Sequence, residues 1–198
     1  VISPSWTKKP LKSPVRGAVH DALTAAQQLL RADSLSVPAH AEVGHALFFA
    51  GRYEEALAEF AKLESVQPPL RRLPEYAAQV YAAMGRWSDA IALLRPLAER
   101  QRRFRGLLGY ALARSGRREE AKKTLTSMLA DESTGAVSAR AITEVYVGLR
   151  DYDRAFVWLD RSIDDYSLGV AVMGPDFDDL RADPRFERVR RRLHLSAS

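Results

Sequence analysis

Apolar residues recur along this chain at three- and four-residue steps, and the phase breaks at nearly regular places. Val43, Ala46, Leu47 and Ala50 trace one helical stripe, and Ala56, Leu57, Phe60 and Leu63 trace another. Between them, Gly51-Arg52-Tyr53-Glu54-Glu55-Ala56 interrupts the pattern, and Pro68 ends the second run. The spacing predicts two short amphipathic helices meeting at Gly51, a residue that tolerates the positive φ common just past a helix end. Gly44 and Ala56 are expected where the helices touch, with Tyr53 and Phe60 filling the wedge. One such hairpin cannot bury both its faces and needs neighbours of its own kind.

The hexad returns. Gly85-Arg86-Trp87 with Ala90 and Leu94 stands 34 residues on, Gly116-Arg117-Arg118 with Ala121 and Leu125 follows after 31, and Arg150-Asp151-Tyr152 with Ala155 and Leu159 after another 34. The preceding helices align as Val43-Gly44, Ala77-Ala78, Leu108-Gly109 and Ile142-Thr143, followed by Leu47, Tyr81, Leu112 and Tyr146. A three-residue deletion falls in the connection Gln101–Phe104. In period and residue type this resembles the tetratricopeptide repeat. The resemblance covers 37–167 as four repeats and implies an all-α, right-handed α-solenoid. It departs from the family where His40, Pro74, Arg105 and Ala139 stand early in the first helices, and where Arg150 replaces the turn glycine. Pro96, inside a predicted second helix, is expected to remove a hydrogen bond and bend it.

The flanks differ. Residues 1–14, with Pro4, Pro10 and Pro14 among Ser, Thr and Lys, read as a flexible linker in which Trp6 and Lys8, Lys9 and Lys12 could dock elsewhere. Residues 15–36 form an N-terminal helix, a half-repeat in which Gly17 and Ala22 stand 34 residues before Gly51 and Ala56. Residues 168–198 form a C-terminal cap. Asp183 is read as the N-cap and Pro184 as the first helical residue, and Phe177, Leu180, Phe186 and Leu193 cover the last repeat. This tail is similar to the closing region of bacterial multidomain signalling and regulatory proteins. The missing initiator Met fits an expectation that the sequence is the C-terminal part of such a protein.

Composition narrows the function classes. Apolar residues make up 46% and charged residues 28% of the 198, as in ordinary globular proteins. No apolar run approaches a membrane span, and no membrane insertion is expected. With no Cys, disulfides and thiolate metal sites are excluded. His40 and His45 flank Glu42, but five residues on a helix place them about 140° apart, unlike a zinc-binding pair. Asp176, Asp178 and Glu187 fall at calcium-loop places, yet Arg181 stands where Gly is needed. The sequence carries no phosphate loop and no nucleophile elbow. No enzyme activity, metal or cofactor is expected.

The groove that the resemblance implies maps onto Ala41, His45, Phe48, Phe49, Arg72, Glu75, Gln79, Arg103, Tyr110, Arg114, Arg140 and Glu144. Phe48 and Phe49 are adjacent, so one is core and the other a candidate anchor. Arg103 and Arg114, eleven apart, are expected on one helix face, where both could meet an acidic ligand. Ala41 and His45 replace two members of the family's terminal-carboxylate clamp, so that function is not carried over. Residues 102–135 hold eight basic against four acidic side chains, and the basic band runs through Arg100, Arg102, Arg103, Arg105, Arg114, Arg117, Arg118, Lys122 and Lys123. The expected function is a protein-interaction or scaffold module whose partner is a protein or an acidic peptide. The alternative is a nucleic-acid-binding repeat using residues 100–123, although aromatic residues are not interleaved there as a single-strand platform requires.

Overall fold

The computed structural model describes residues 13–66, 72–132, 135–166, 168, 172 and 174–193, with side chains described from His20 onward. Residues 1–12 of the expected linker 1–14, with Trp6, and the helix stop at Pro68 lie outside them, while Ser13 and Pro14 belong to the first helix. Every regular element among the described residues is helical. The α-helices are α1 Ser13–Ala32, α2 Val37–Phe49, α3 Tyr53–Ala61, α4 Leu73–Ala83, α5 Trp87–Arg100, α6 Arg105–Arg114, α7 Arg118–Glu132, α8 Ala139–Leu149, α9 Tyr152–Asp164, α10 Asp178–Arg181 and α11 Phe186–Arg192. Among the described residues, none is long and apolar enough to cross a membrane. The chain divides within α4 into two compact units, residues 1–80 and 81–196.

Four turns between helices share one geometry. Gly51, Gly85, Gly116 and Arg150 have φ of 75°, 71°, 88° and 60°. At each, the following N–H reaches back past the turn to the first helix. Arg52 donates to Leu47 O at 2.9 Å, Arg86 to Tyr81 O at 2.8 Å, Arg117 to Leu112 O at 2.9 Å and Asp151 to Tyr146 O at 3.0 Å. These bonds satisfy carbonyls that a helix end leaves orphaned. Four residues later Ala56, Ala90, Ala121 and Ala155 are fully buried, because only a methyl fits where the second helix crosses the first. These turns follow one another at 34, 31 and 34 residues. Gly17 differs: it lies inside α1 rather than at such a turn.

In the first unit, α2 packs on both α1 and α3. The close approach at Gly44 is as expected, since a Cβ there would collide with the ring of buried Phe60. Ser36 caps α2 by accepting from Ala39 N at 3.5 Å.

In the second unit, α6 and α8 are the centre. A Cβ on Gly109 would lie 2.7 Å from Val145, one on Gly106 2.7 Å from the Ala141 backbone, and one on Gly148 2.9 Å from the Tyr110 backbone. The missing side chains let the two backbones approach closely. α8 is buried continuously from Ala141 to Leu149. α7 packs against α6, and α9 against α8. The shortened connection is a 3₁₀ turn, Arg102–Phe104, leading directly into α6. α5 runs on through Pro96 to Arg100, with the proline exposed.

The C-terminal segment closes this unit. Phe177 and Leu180 are fully buried, Phe186 is buried and Leu193 half-buried. α11 begins at Phe186, two residues later than expected, because Asp183 Oδ1 accepts from Arg185 N at 2.9 Å and holds Pro184 and Arg185 in a turn. Ion pairs then join α11 to α9: Arg188 to Asp160, and Arg192 to Asp160 at 3.2 Å and Asp164 at 2.5 Å.

Arg150 holds a left-handed conformation that costs an ordinary L-residue about 1 kcal/mol. Arg150→Gly is expected to raise stability by a few tenths to ~1 kcal/mol, the gain offset in part by glycine's freedom in the unfolded chain. Urea unfolding measures it. A lowered midpoint would mean that the arginine side chain stabilises the turn more than its backbone strains it.

Candidate protein-interaction site

In the first unit, the candidate residues gather around an aromatic wedge. His45 on α2 meets Tyr76 on α4 edge-on, with ring centroids 4.0 Å apart, and Phe60 at 6.0 Å. Burial holds the His45 imidazole below its ordinary pKa; Glu42 opposes this, Arg72 adds to it and Glu75 opposes it. Arg72 bonds Glu75 at 3.3 Å and lies 5.2 Å from the centroid of the Tyr76 ring. Ala41, Glu75 and Gln79 are half-buried. Of the adjacent pair, Phe48 is the core member at 7% exposure, which removes it from the candidate surface, and Phe49 is half-buried. The two rings meet edge-on at 5.1 Å, so Phe48 supports Phe49 from beneath.

His40 does not converge with His45. Its Nδ1 meets Glu59 at 2.8 Å and its Nε2 meets Ser34 O at 3.0 Å. Among the described residues no His, Asp and Glu group could hold a metal ion. At the calcium-loop places, Asp178 is paired with Arg181, and Glu187 with Arg190 at 2.6 Å.

In the second unit, the candidate residues of α6 and α8 lie against the chain's own C-terminal segment. Arg114 donates to Asp179 at 3.0 Å, and the Tyr152 hydroxyl donates to the same carboxylate oxygen at 3.1 Å. Tyr110 is buried; its phenol pKa is raised by burial first and by Asp176 second. Glu144 is 3% exposed, paired with Arg140 and placed where a side chain on Gly106 would otherwise stand. The 3₁₀ turn Pro175–Phe177 packs directly on α8. The C-terminal segment thus lies against Tyr110 and Arg114 of α6 and against α8, which carries Arg140 and Glu144. Arg103 lies outside α6. It precedes α6 in the 3₁₀ turn, bonds Gln101 at 3.1 Å and lies 4.5 Å from the centroid of the Phe104 ring. The 3₁₀ turn replaces the first part of the continuous α-helix that the expected alignment with Arg114 assumes.

Part of the basic band is paired locally. Arg105 pairs with Asp131 at 2.7 Å, Arg117 with Glu120 at 2.5 Å and Lys122 with Glu119 at 2.8 Å. Arg118 donates to Leu149 O at 3.2 Å. Asp131 and Glu120, distant in sequence from Arg105 and Arg95, also tie helices together.

Sequence reasoning missed Asp176, Asp179 and Tyr152 as partners of this face. Three acids in Asp176-Phe177-Asp178-Asp179 opposite two arginines were the available signal. Comparison with models of protein families, with curated proteins and with solved structures finds no match to the chain.

Burial pushes the Asp176 carboxyl up to about 6; Arg140 and Arg181 oppose the shift and Asp178 adds to it. A carboxyl raised in the folded state binds its proton more tightly there than in the unfolded chain. It contributes stability below the unfolded value of 3.8, and that contribution is lost as pH rises through about 6. Asp176→Asn is expected to stabilise the protein at pH 7.5 by on the order of 1 kcal/mol, with the gain fading at pH 4. Urea midpoints at both pH values measure this, and an equal effect at both would exclude titration of Asp176 as the cause.

Proposed function

We propose that the chain is a tetratricopeptide-like protein of four helical repeats and acts as a protein-interaction module. The observation that carries this reading is the fourfold turn. One left-handed residue, one backward hydrogen bond and one fully buried alanine recur at the sequence period of that repeat. Repeats of this kind present side chains of their first helices to a partner. In the first unit, that face offers Phe49 on α2 as an aromatic anchor, Arg72, Glu75 and Gln79 as polar groups at the start of α4 and along it, and His45 packed on Tyr76 between α2 and α4. A half-buried ring braced by a buried one is pre-organised, so little rotamer freedom is lost on binding. The partner is a peptide or protein segment with an apolar side chain for Phe49 and polar groups for Arg72 and Glu75.

The test is a peptide selected against the full chain from a random library. Phe49→Ala is expected to weaken that peptide by ~1–2 kcal/mol while barely moving the urea midpoint. Phe48→Ala instead is expected to cost stability, ~3 kcal/mol or more, because it opens a cavity in the core. Unchanged affinity in the Phe49→Ala variant would remove α2 from the site. Calorimetry and denaturation distinguish the two substitutions.

A further inference from the structure

The face formed by α6 and α8 is lined by Tyr110, Arg114 and Arg140, and residues 175–181 are seated on it. That segment reads Pro-Asp-Phe-Asp-Asp-Leu-Arg. Its two apolar side chains, Phe177 and Leu180, are fully buried. Asp179 is held by two donors, Arg114 and Tyr152, from different helices. Arg181 folds back on the segment itself, to Asp178 and to the Val172 and Gly174 carbonyls, the latter at 2.9 Å. The segment thus has its own internal brace and meets the surface through carboxylates around an aromatic ring, followed by one buried leucine.

We propose that this face of α6 and α8 is a recognition surface for an acidic peptide carrying an aromatic residue between carboxylates, and that residues 175–181 are its resident occupant, displaced when such a partner binds. The proposal rests on the reading of the chain as an interaction module but concerns a different face from that of Phe49. Two features favour displacement over a permanent seal. The polar hold on α6 and α9 converges on one carboxylate, so a partner carboxylate delivered to Arg114 and Tyr152 replaces it bond for bond. Asp176 is half-buried beside Tyr110, where burial opposes its charge more than Arg140 and Arg181 favour it. The tether keeps the resident segment at high local concentration, so a free peptide competes at a disadvantage until that hold is weakened.

The test uses the full chain and a fluorescein-labelled peptide of residues 174–182, with anisotropy as the readout. The wild-type chain is expected to bind weakly. Asp179→Ala, which removes the resident carboxylate, is expected to bind about tenfold tighter or more, and Arg114→Gln added to it is expected to abolish the gain. Hydrogen exchange on the wild-type chain provides a second measurement: saturating peptide should speed exchange of amides 175–182, and a scrambled peptide should not. The inference is overturned if Asp179→Ala binds no tighter, if it fails to fold, or if the double variant binds as well as the single. Any of these makes the segment a fixed part of the core. If a library-selected peptide still binds through Phe49 in that case, the interaction-module reading stands and only this inference falls.

Discussion

The second unit depends on how closely α6 and α8 approach. Gly106, Gly109 and Gly148 leave no Cβ at the crossing, and a methyl at any of them would meet the neighbouring helix closer than carbon atoms allow. Packing at this separation gains dispersion along two whole backbones. It also places Glu144 over Gly106, where the carboxylate fills the space of a missing side chain and pairs with Arg140. A buried acid there is tolerable only because its partner is one turn away on the same helix. The position of the arginines, and hence the chemistry of the face, follows from three absent side chains.

Charge then organises the C-terminal segment in two opposite senses. Its first part is acidic and lies on a face bearing Arg114 and Arg140; its second part, α11, is basic and lies on acidic residues of α9. Phe177, Leu180, Phe186 and Val189 supply the burial, all at 7% exposure or less. The apolar residues account for most of the docking energy, since each exposed ion pair contributes about 1 kcal/mol at most. The charges instead fix which stretch lies on which helix, because exchanging the two parts would set acid against acid and arginine against arginine.

The sequence made the hairpins legible because their determinants are local. Gly51, Gly85 and Gly116 announce a left-handed turn by residue type, and the alanine four or five residues on announces a close crossing. Even Arg150 was placed correctly by period alone, where its residue type argued against the turn. The pair Phe48 and Phe49 was legible as one core and one surface residue, but not in which order, since neighbouring positions on a helix differ by only about 100°. The site was legible only as a set of positions. Arg114 and Asp179 are 65 residues apart, and the acidic run 176–179 signals an arginine partner without specifying which arginine it meets. The expected alignment of Arg103 with Arg114 assumed an α-helix across Arg102–Phe104, where the chain makes a tighter 3₁₀ turn.

The ladder between α11 and α9 has a consequence for cooperativity. α11 is seven residues long and carries two buried side chains, Phe186 and Val189. Its remaining hold on α9 is ionic and solvent-facing, with Asp160 shared between Arg188 and Arg192. Counter-ions compete for such contacts while leaving the glycine-packed crossing of α6 and α8 untouched. The last helix is therefore expected to open as its own sub-global unit, at lower free energy than the helices beneath it, with ionic strength setting how far below.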